Sequence, residues 1–172
     1  MLFKFDKLSQ VAIVVKDLRE AMKRYWEDMG IGPWKIWYFN PSNTRDMTFR
    51  GKPSKHAFRI AEAMVGDISI ELIEPLEGET TYKEFLDKKG EGLHHIKYTT
   101  DKPEVILEKF KKLGIGVIQS GRVGQGSYHY LDTESRFGFI LELATGQPDR
   151  PPDEIFPEST SRQKCSRVLK GE

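Results

Sequence analysis

The 172-residue chain carries 27 Lys and Arg against 26 Asp and Glu, a formal charge of +1, which excludes long-range electrostatic capture of nucleic acid or an anionic membrane. With 38% hydrophobic and 31% charged residues it is too apolar for a disordered chain and long enough to bury a core without staples. Its one cysteine, Cys165, excludes an internal disulfide.

No segment approaches the roughly 18 apolar residues that would span a bilayer. The opening run Met1-Leu2-Phe3-Lys4-Phe5-Asp6 lacks the apolar stretch of a signal peptide. The expectation is a cytoplasmic protein with neither nucleic-acid nor membrane partners.

Taken in chain order, Gln10 to Val15 alternates Val11, Ile13 and Val15 with Gln10, Ala12 and Val14, a strand pattern. Asp17 suits a helix N-cap. Leu18, Ala21, Met22, Tyr25, Trp26 and Met29 then recur at helical spacing, and Gly30 suits the left-handed position that ends the helix. Strands are predicted at Trp34 to Phe39, Ala57 to Met64 and Ile68 to Ile73. Between them Asn40 to Lys55, rich in Pro, Ser, Asn, Arg and Gly, reads as a mobile loop suited to a lid or to substrate contact. A connector from Pro75 to Gly92 holds a short helix around Tyr82 to Lys88.

The pattern then returns. His95 to Thr100 matches Gln10 to Val15. Asp101 and Pro103 open a helix with Val105, Ile106, Phe110 and Leu113 as its apolar stripe, and Gly114 closes it. Strands follow at Gly116 to Ser120, Ser127 to Leu131 and Phe139 to Leu143. The Gly-Ile-Gly runs at Gly30 and Gly114 lie 84 positions apart, and Gln10 and His95 lie 85 apart, so the chain repeats in register to within one residue. The predicted fold is α+β, with two tandem βαβββ modules forming a curved mixed sheet. The first spans 5–75, the connector 76–92, the second 93–145, and a polar, Pro-rich tail 146–172 packs on the surface or stays loose.

The repeat places polar groups at equivalent points. Gln10 and His95 open the first strand of each half; Glu71 and Glu142 sit in the closing strands between apolar neighbours. A carboxylate in such a setting is costly to bury unless something pairs with it. Packing the first and last strands of the halves together brings all four side chains to one pocket. Two carboxylates, an imidazole and an amide oxygen then suit one divalent ion: zinc, cobalt, nickel, manganese or iron. Each residue alone has a plainer reading, a solvated strand face for either glutamate and a hydrogen-bonded structural role for His95; the joint placement favours the metal.

Several segments resemble the methylmalonyl-CoA epimerases: Gly90-Glu91-Gly92-Leu93-His94-His95-Ile96, Val11 to Leu18, Glu71-Leu72-Ile73-Glu74-Pro75-Leu76 and Gly138 to Leu143. The wider group is the vicinal oxygen chelate superfamily, with glyoxalase I, extradiol dioxygenases and bleomycin-resistance proteins. The resemblance covers residues 5 to 145.

It implies a metal held by Gln10, Glu71, His95 and Glu142, and a homodimer acting on a small molecule. Gln10 stands where the epimerases usually have histidine, and the resulting set resembles that of the animal-type glyoxalase I. The epimerases' additional glutamate base has no acid at Ser54-Lys55-His56-Ala57, and Glu62 lies well into the next strand. Of the adjacent histidines His95 matches Gln10, and alternation points His94 to the other face.

The implied activity is a metal-dependent isomerase or epimerase that removes a proton next to a metal-bound carbonyl, such as that of an acyl-CoA. Glu142 is the expected base and Glu71 takes the opposite face. The alternatives are a glyoxalase I-type lactoylglutathione lyase and a non-catalytic binder of the bleomycin-resistance type. An iron dioxygenase normally needs two histidines and a carboxylate, and Gln10 weighs against it. Trp34, Trp37 and Phe39 are candidates for an apolar wall, Arg45, Arg50, Lys52 and Lys55 for anion contacts, and His129 for a further pocket group.

Overall fold

A computed structural model describes residues 4–146 and 150–157. In the first half, β1 (Gln10–Val14) leads to α1 (Leu18–Met29), and β2 (Trp34–Phe39), β3 (Arg45–Phe49), β4 (Lys52–Pro53), β5 (Ala57–Val65) and β6 (Ile68–Glu77) follow. Helix α2 (Thr81–Lys89) leads into the second half: β7 (Gly92–Thr99), α3 (Pro103–Lys111), β8 (Val117–Val123), β9 (Gly126–Leu131), α4 (Glu134–Phe137) and β10 (Ile140–Thr145). A last strand, β11 (Glu154–Phe156), completes the described chain.

The helix ends follow local chemistry. The Asp17 carboxylate accepts the Glu20 N–H at 3.0 Å and Gly30 ends α1 with φ of 68°. Thr80 caps α2 by accepting the Lys83 N–H at 3.0 Å. Lys102 rather than Asp101 is the residue before α3, with Pro103 at its first position, where a missing N–H costs nothing. The apolar stripes are narrower than the spacing predicts. Met29 and Val105 are exposed on the outer flank of their helices and Leu113 is exposed in the turn after α3, while Leu18, Ala21, Met22, Ile106 and Phe110 are buried.

All strands join one curved, unclosed mixed sheet in the order β11-β2-β5-β6-β1-β7-β10-β9-β8-β3-β4. The first and closing strands of the halves form its centre. β1 runs parallel to β6, β7 runs parallel to β10, and β1 and β7 meet antiparallel. Helix α1 covers Val15, Ala61, Ala63 and Leu72 on the convex face of one half, and α3 covers Leu131, Leu141 and Leu143 on the other. The concave face carries Ala12, Val14, Trp37, Phe39, Phe58, Ile60, Tyr82 and Tyr130.

One expectation is corrected. Asn40 to Lys55 is not a free loop: β3 leaves the first half and pairs with β8 of the second. Met47 is buried in the concave core, and the Thr48 and Ser120 hydroxyls meet at 2.7 Å. The tail contributes β11, which pairs antiparallel with the edge strand β2. Residues 147–149 and 158–172, Cys165 among them, lie outside the described residues. Among the described residues no helix is long and apolar enough to cross a membrane.

Candidate active site

Gln10 on β1, Glu71 on β6, His95 on β7 and Glu142 on β10 occupy the four adjacent central strands. Their relative exposures of 0%, 6%, 0% and 5% place all four inside the protein. His95 Nε2 lies 2.9 Å from Glu142 Oε2 and 3.5 Å from Glu71 Oε2. The Gln10 amide N–H2 donates to Glu62 Oε1 at 2.8 Å and, at 3.4 Å each, to Ser69 Oγ and Glu71 Oε1. The four residues singled out by the repeat therefore come together.

Their bonding is incomplete. Gln10 Oε1 and His95 Nε2 are buried without a well-directed hydrogen-bond partner, although His95 Nε2 is close to Glu142. Orphaned polar atoms of this kind are uncommon in folded interiors. Among the described residues no three His, Cys, Asp or Glu side chains already surround a common point as a metal would require.

Two further charged residues share the cleft. Glu62 on β5 is the direct cross-strand neighbour of Glu71. Lys97, two residues after His95 on β7, pairs in register with Gln10 on one side and Glu142 on the other, and is 9% exposed. Both were open to discovery from the sequence, since alternation along β7 turns Lys97 inward with His95, and the β5–β6 hairpin sets Glu62 opposite Glu71.

Burial and neighbours push the two glutamates apart. Loss of solvent raises the Glu71 carboxyl well above its ordinary range; Lys97 opposes this, and Glu62 and Glu142 reinforce it. Burial also acts to raise Glu142, but Lys97 and His95 together hold it below the usual value. His95 is held below its ordinary value by burial, against the pull of Glu142. For Lys97 burial works against the charge, and Glu142, Glu71 and Glu62 outweigh it, so the ammonium is held more firmly than usual.

His94 corrects a second expectation. It does not face away from His95: the register of β7 against β1 slips between Ala12 and Ile13, where Ala12 pairs with His95 and Ile13 with Leu93. The extra residue in this bulge is His94, and a bulge breaks the alternation that a regular strand would impose. His94 is fully buried among Tyr82, Phe85 and Tyr130, and its Nδ1 lies 2.9 Å from His95 Nδ1. It thereby supports the ring of His95 from behind.

The cleft above these groups has a cavity volume of about 90 Å³. That is room for several waters or the reacting end of a small molecule. Its walls are mainly apolar: Phe39, Phe58, Ile60 and Tyr82 on one side, Val123, Tyr128 and Tyr130 on the other. The Tyr82 and Tyr130 hydroxyls meet at 2.6 Å beneath the aromatic wall.

Of the tryptophans, Trp34 belongs to the core under α1 and Trp37 to the concave core, and neither lines the cleft; Phe39 does. The basic residues of 45–55 are not at the cleft either. Arg45 donates to the Gly124 carbonyl at 2.8 Å, Arg50 forms a two-pronged contact with Glu84 at 2.9 and 2.6 Å, and Lys52 and Lys55 are exposed. His129, between Tyr128 and Tyr130, turns to the other side of β9 and meets Ser127 Oγ at 3.2 Å.

The profile of the Glyoxalase/Bleomycin resistance protein/Dioxygenase superfamily matches residues 9–131, most of the chain. The chain belongs to this superfamily. A relative from Bacillus subtilis strain 168, the uncharacterized protein YqjC, is 46% identical over 93 residues, 54% of this chain and 56% of that protein, so the match spans little more than half of the relative's length.

Among solved structures, the hypothetical protein BH1468 from Bacillus halodurans C-125 superposes with a TM-score of 0.64 at 23% identity, covering 86% of this chain and 99% of that one. The methylmalonyl-CoA epimerase of Mycobacterium tuberculosis gives 0.61 at 21% identity over 82% and 88% of the two chains. That of Streptomyces coelicolor, in complex with 2-nitronate-propionyl-CoA, gives 0.62 at 21% over 85% and 98%. At such identities these likenesses establish the fold, and one fold hosts many chemistries.

Proposed function

We propose that this member of the superfamily is an isomerase of the epimerase type, which removes and returns a proton at a carbon next to a carbonyl. The observation that carries the reading is the pair of carboxylates, Glu71 and Glu142, that line an open, mainly apolar cleft with the fully buried His95 within reach of both. The fold shared with methylmalonyl-CoA epimerases supports it, and an acyl-CoA is the substrate class this suggests.

The residues fit one divalent cation. Gln10 Oε1 is buried without a partner, and His95 Nε2 has only the nearby carboxylates. A half-turn of the Gln10 amide exchanges its N–H2 for that oxygen at the carboxylates. With Glu71 ionised as a ligand, Glu62, Glu71 and Glu142 against Lys97 leave two negative charges to neutralise, so the ion would displace the proton that burial favours on Glu71. Gln10, Glu71, His95 and Glu142 would hold the ion, which could be zinc, cobalt, nickel, manganese or iron(II). When bound, it supplies positive charge beside a carbonyl oxygen and so lowers the cost of breaking the neighbouring C–H bond.

The chain's own groups divide the proton traffic. Glu142, which Lys97 and His95 favour in its ionised form, takes the proton; Glu71, which burial and Glu62 push toward its neutral form, stands on the other side of His95 to give one back. Environments that split two carboxyls in this way mark an acid and a base. The aromatic walls give the reacting carbon a mainly apolar surround, and the small cavity leaves the bulk of a large substrate outside.

A glyoxalase I-type lyase is the second reading, favoured by the set Gln10, Glu71, His95 and Glu142. Binding without chemistry, as in the bleomycin-resistance type, is the third.

Proton–deuterium exchange in heavy water separates them. The panel holds acyl-CoAs, methylmalonyl-CoA among them, and 2-oxoaldehyde–thiol adducts, each with added Zn²⁺, Co²⁺, Ni²⁺ or Mn²⁺. Deuterium entering next to the thioester carbonyl is the expected result, and conversion of the adduct to a thioester selects the lyase. No exchange with any member of the panel refutes both enzymatic readings.

A further inference from the structure

Lys97 is a buried cation that the proton transfer itself does not require. By the 85-residue offset that relates Gln10 to His95, it stands where the first half has Ala12, a fully buried small residue. The repeat thus offers a methyl group on one side of the central β1–β7 pair and a long cation on the other. Its strand partners are Gln10 and Glu142, and it lines the cleft with Glu62, Glu71 and Glu142.

Lysines are almost never buried unless paired. Among the described residues Lys97 makes neither a direct ion pair nor a side-chain hydrogen bond; the three carboxylates attract it across the cleft instead. It therefore draws on the same negative charge that a divalent ion would use, from a position beside two of that ion's ligands.

We propose that the Lys97 ammonium is a built-in cation of this site, competing with a divalent ion for the charge of Glu62, Glu71 and Glu142 and so keeping metal binding weak. The proposal rests on the reading of the cleft as a cation site. Two cations drawn to one set of carboxylates repel each other strongly where water is largely excluded. Removing the tethered one should therefore tighten the other.

The test is calorimetric titration of MnCl2 into the purified full chain after chelator treatment and dialysis. Wild type is compared with Lys97→Met, Lys97→Gln and Lys97→Arg, and with Lys23→Met on the exposed face of α1 as control. Both neutral variants should bind Mn²⁺ at least tenfold more tightly than wild type, or about 1.4 kcal/mol. Lys97→Arg and Lys23→Met should stay within about threefold of wild type, a change of about 0.65 kcal/mol.

Equal or weaker binding by the folded neutral variants overturns the proposal while leaving a metal-dependent site standing. Binding by none of the proteins overturns both. A neutral variant that folds only with MnCl2 present supports the competition. One that folds neither with nor without it assigns Lys97 a purely structural role and overturns the proposal.

Discussion

Glu71→Gln removes a charge while keeping the size of the side chain and an oxygen for the Gln10 amide. Glu71 is 6% exposed and lies directly across the hairpin from Glu62, so the fold resists its ionisation. An acid whose folded value is raised gives stability that is fully present below its ordinary value. That stability is lost as the pH climbs to the folded value, because the unfolded chain sheds the proton first. The loss is about 1.4 kcal/mol for each pH unit between the two values.

The variant escapes it, so without added metal its advantage over wild type should be near zero at pH 4 and grow toward neutrality. For a chain of this length each kcal/mol moves the melting temperature by about 2–4 °C. Thermal melts of both proteins at half-unit pH steps from 4 to 8 make the comparison. Adding MnCl2 at a hundred times its Kd should then stabilise wild type by about 2.7 kcal/mol and the variant by less, because a carboxylate ligand is gone. Parallel stability–pH curves for the two proteins would refute the claim that Glu71 is forced toward its neutral form.

Glu142→Gln should lower deuterium exchange, on whichever panel member wild type labels, by about 10²–10⁴-fold with the fold intact; mass spectrometry reads the label, and retained exchange removes Glu142 as the base. Tyr130→Phe leaves the buried Tyr82 hydroxyl without its 2.6 Å partner and should cost about 1–3 kcal/mol in urea denaturation; an unchanged midpoint argues that the pair contributes nothing. The His56 imidazole, pushed down to about 4 by burial, should titrate by NMR with a midpoint near that value, and its share of stability should fade as the pH drops from the ordinary histidine range toward 4; a midpoint at the ordinary value contradicts its burial in neutral form.

What was legible in the chain was whatever the repeat encodes twice. The 85-residue offset between Gln10 and His95 locates the central strands, and the apolar neighbours of Glu71 and Glu142 mark their strands as buried. His94 was misread because its direction depends on a slip between β7 and β1, a tertiary pairing that no alternation along one strand reveals. The 40–55 segment was misread for a related reason. Its composition is that of a loop, and only the burial of Met47 against the other half turns Arg45–Phe49 into a strand. Glu62, placed well into its strand, and Lys97 carry a readable signal, a charge at an inward-facing strand position, but Lys97 has only Ala12 at the matching point of the other half.

That last point explains why a symmetric scaffold produces unlike carboxyls. Glu71 and Glu142 hold equivalent places in closing strands beside the first strand of each half, yet their lateral neighbours differ. β6 sits between β1 and β5, so Glu71 pairs with Ala12 and Glu62, one of them neutral and the other a carboxylate. β10 sits between β7 and β9, so Glu142 pairs with Lys97 and Tyr130, one of them a cation. Burial raises Glu71 and the neighbouring Glu62 adds to it, whereas Lys97, in place of an alanine, and His95 hold Glu142 below its usual value. In the proposed isomerase that inequality would separate the acid from the base, with two side chains outside the matching set of four contributing to it.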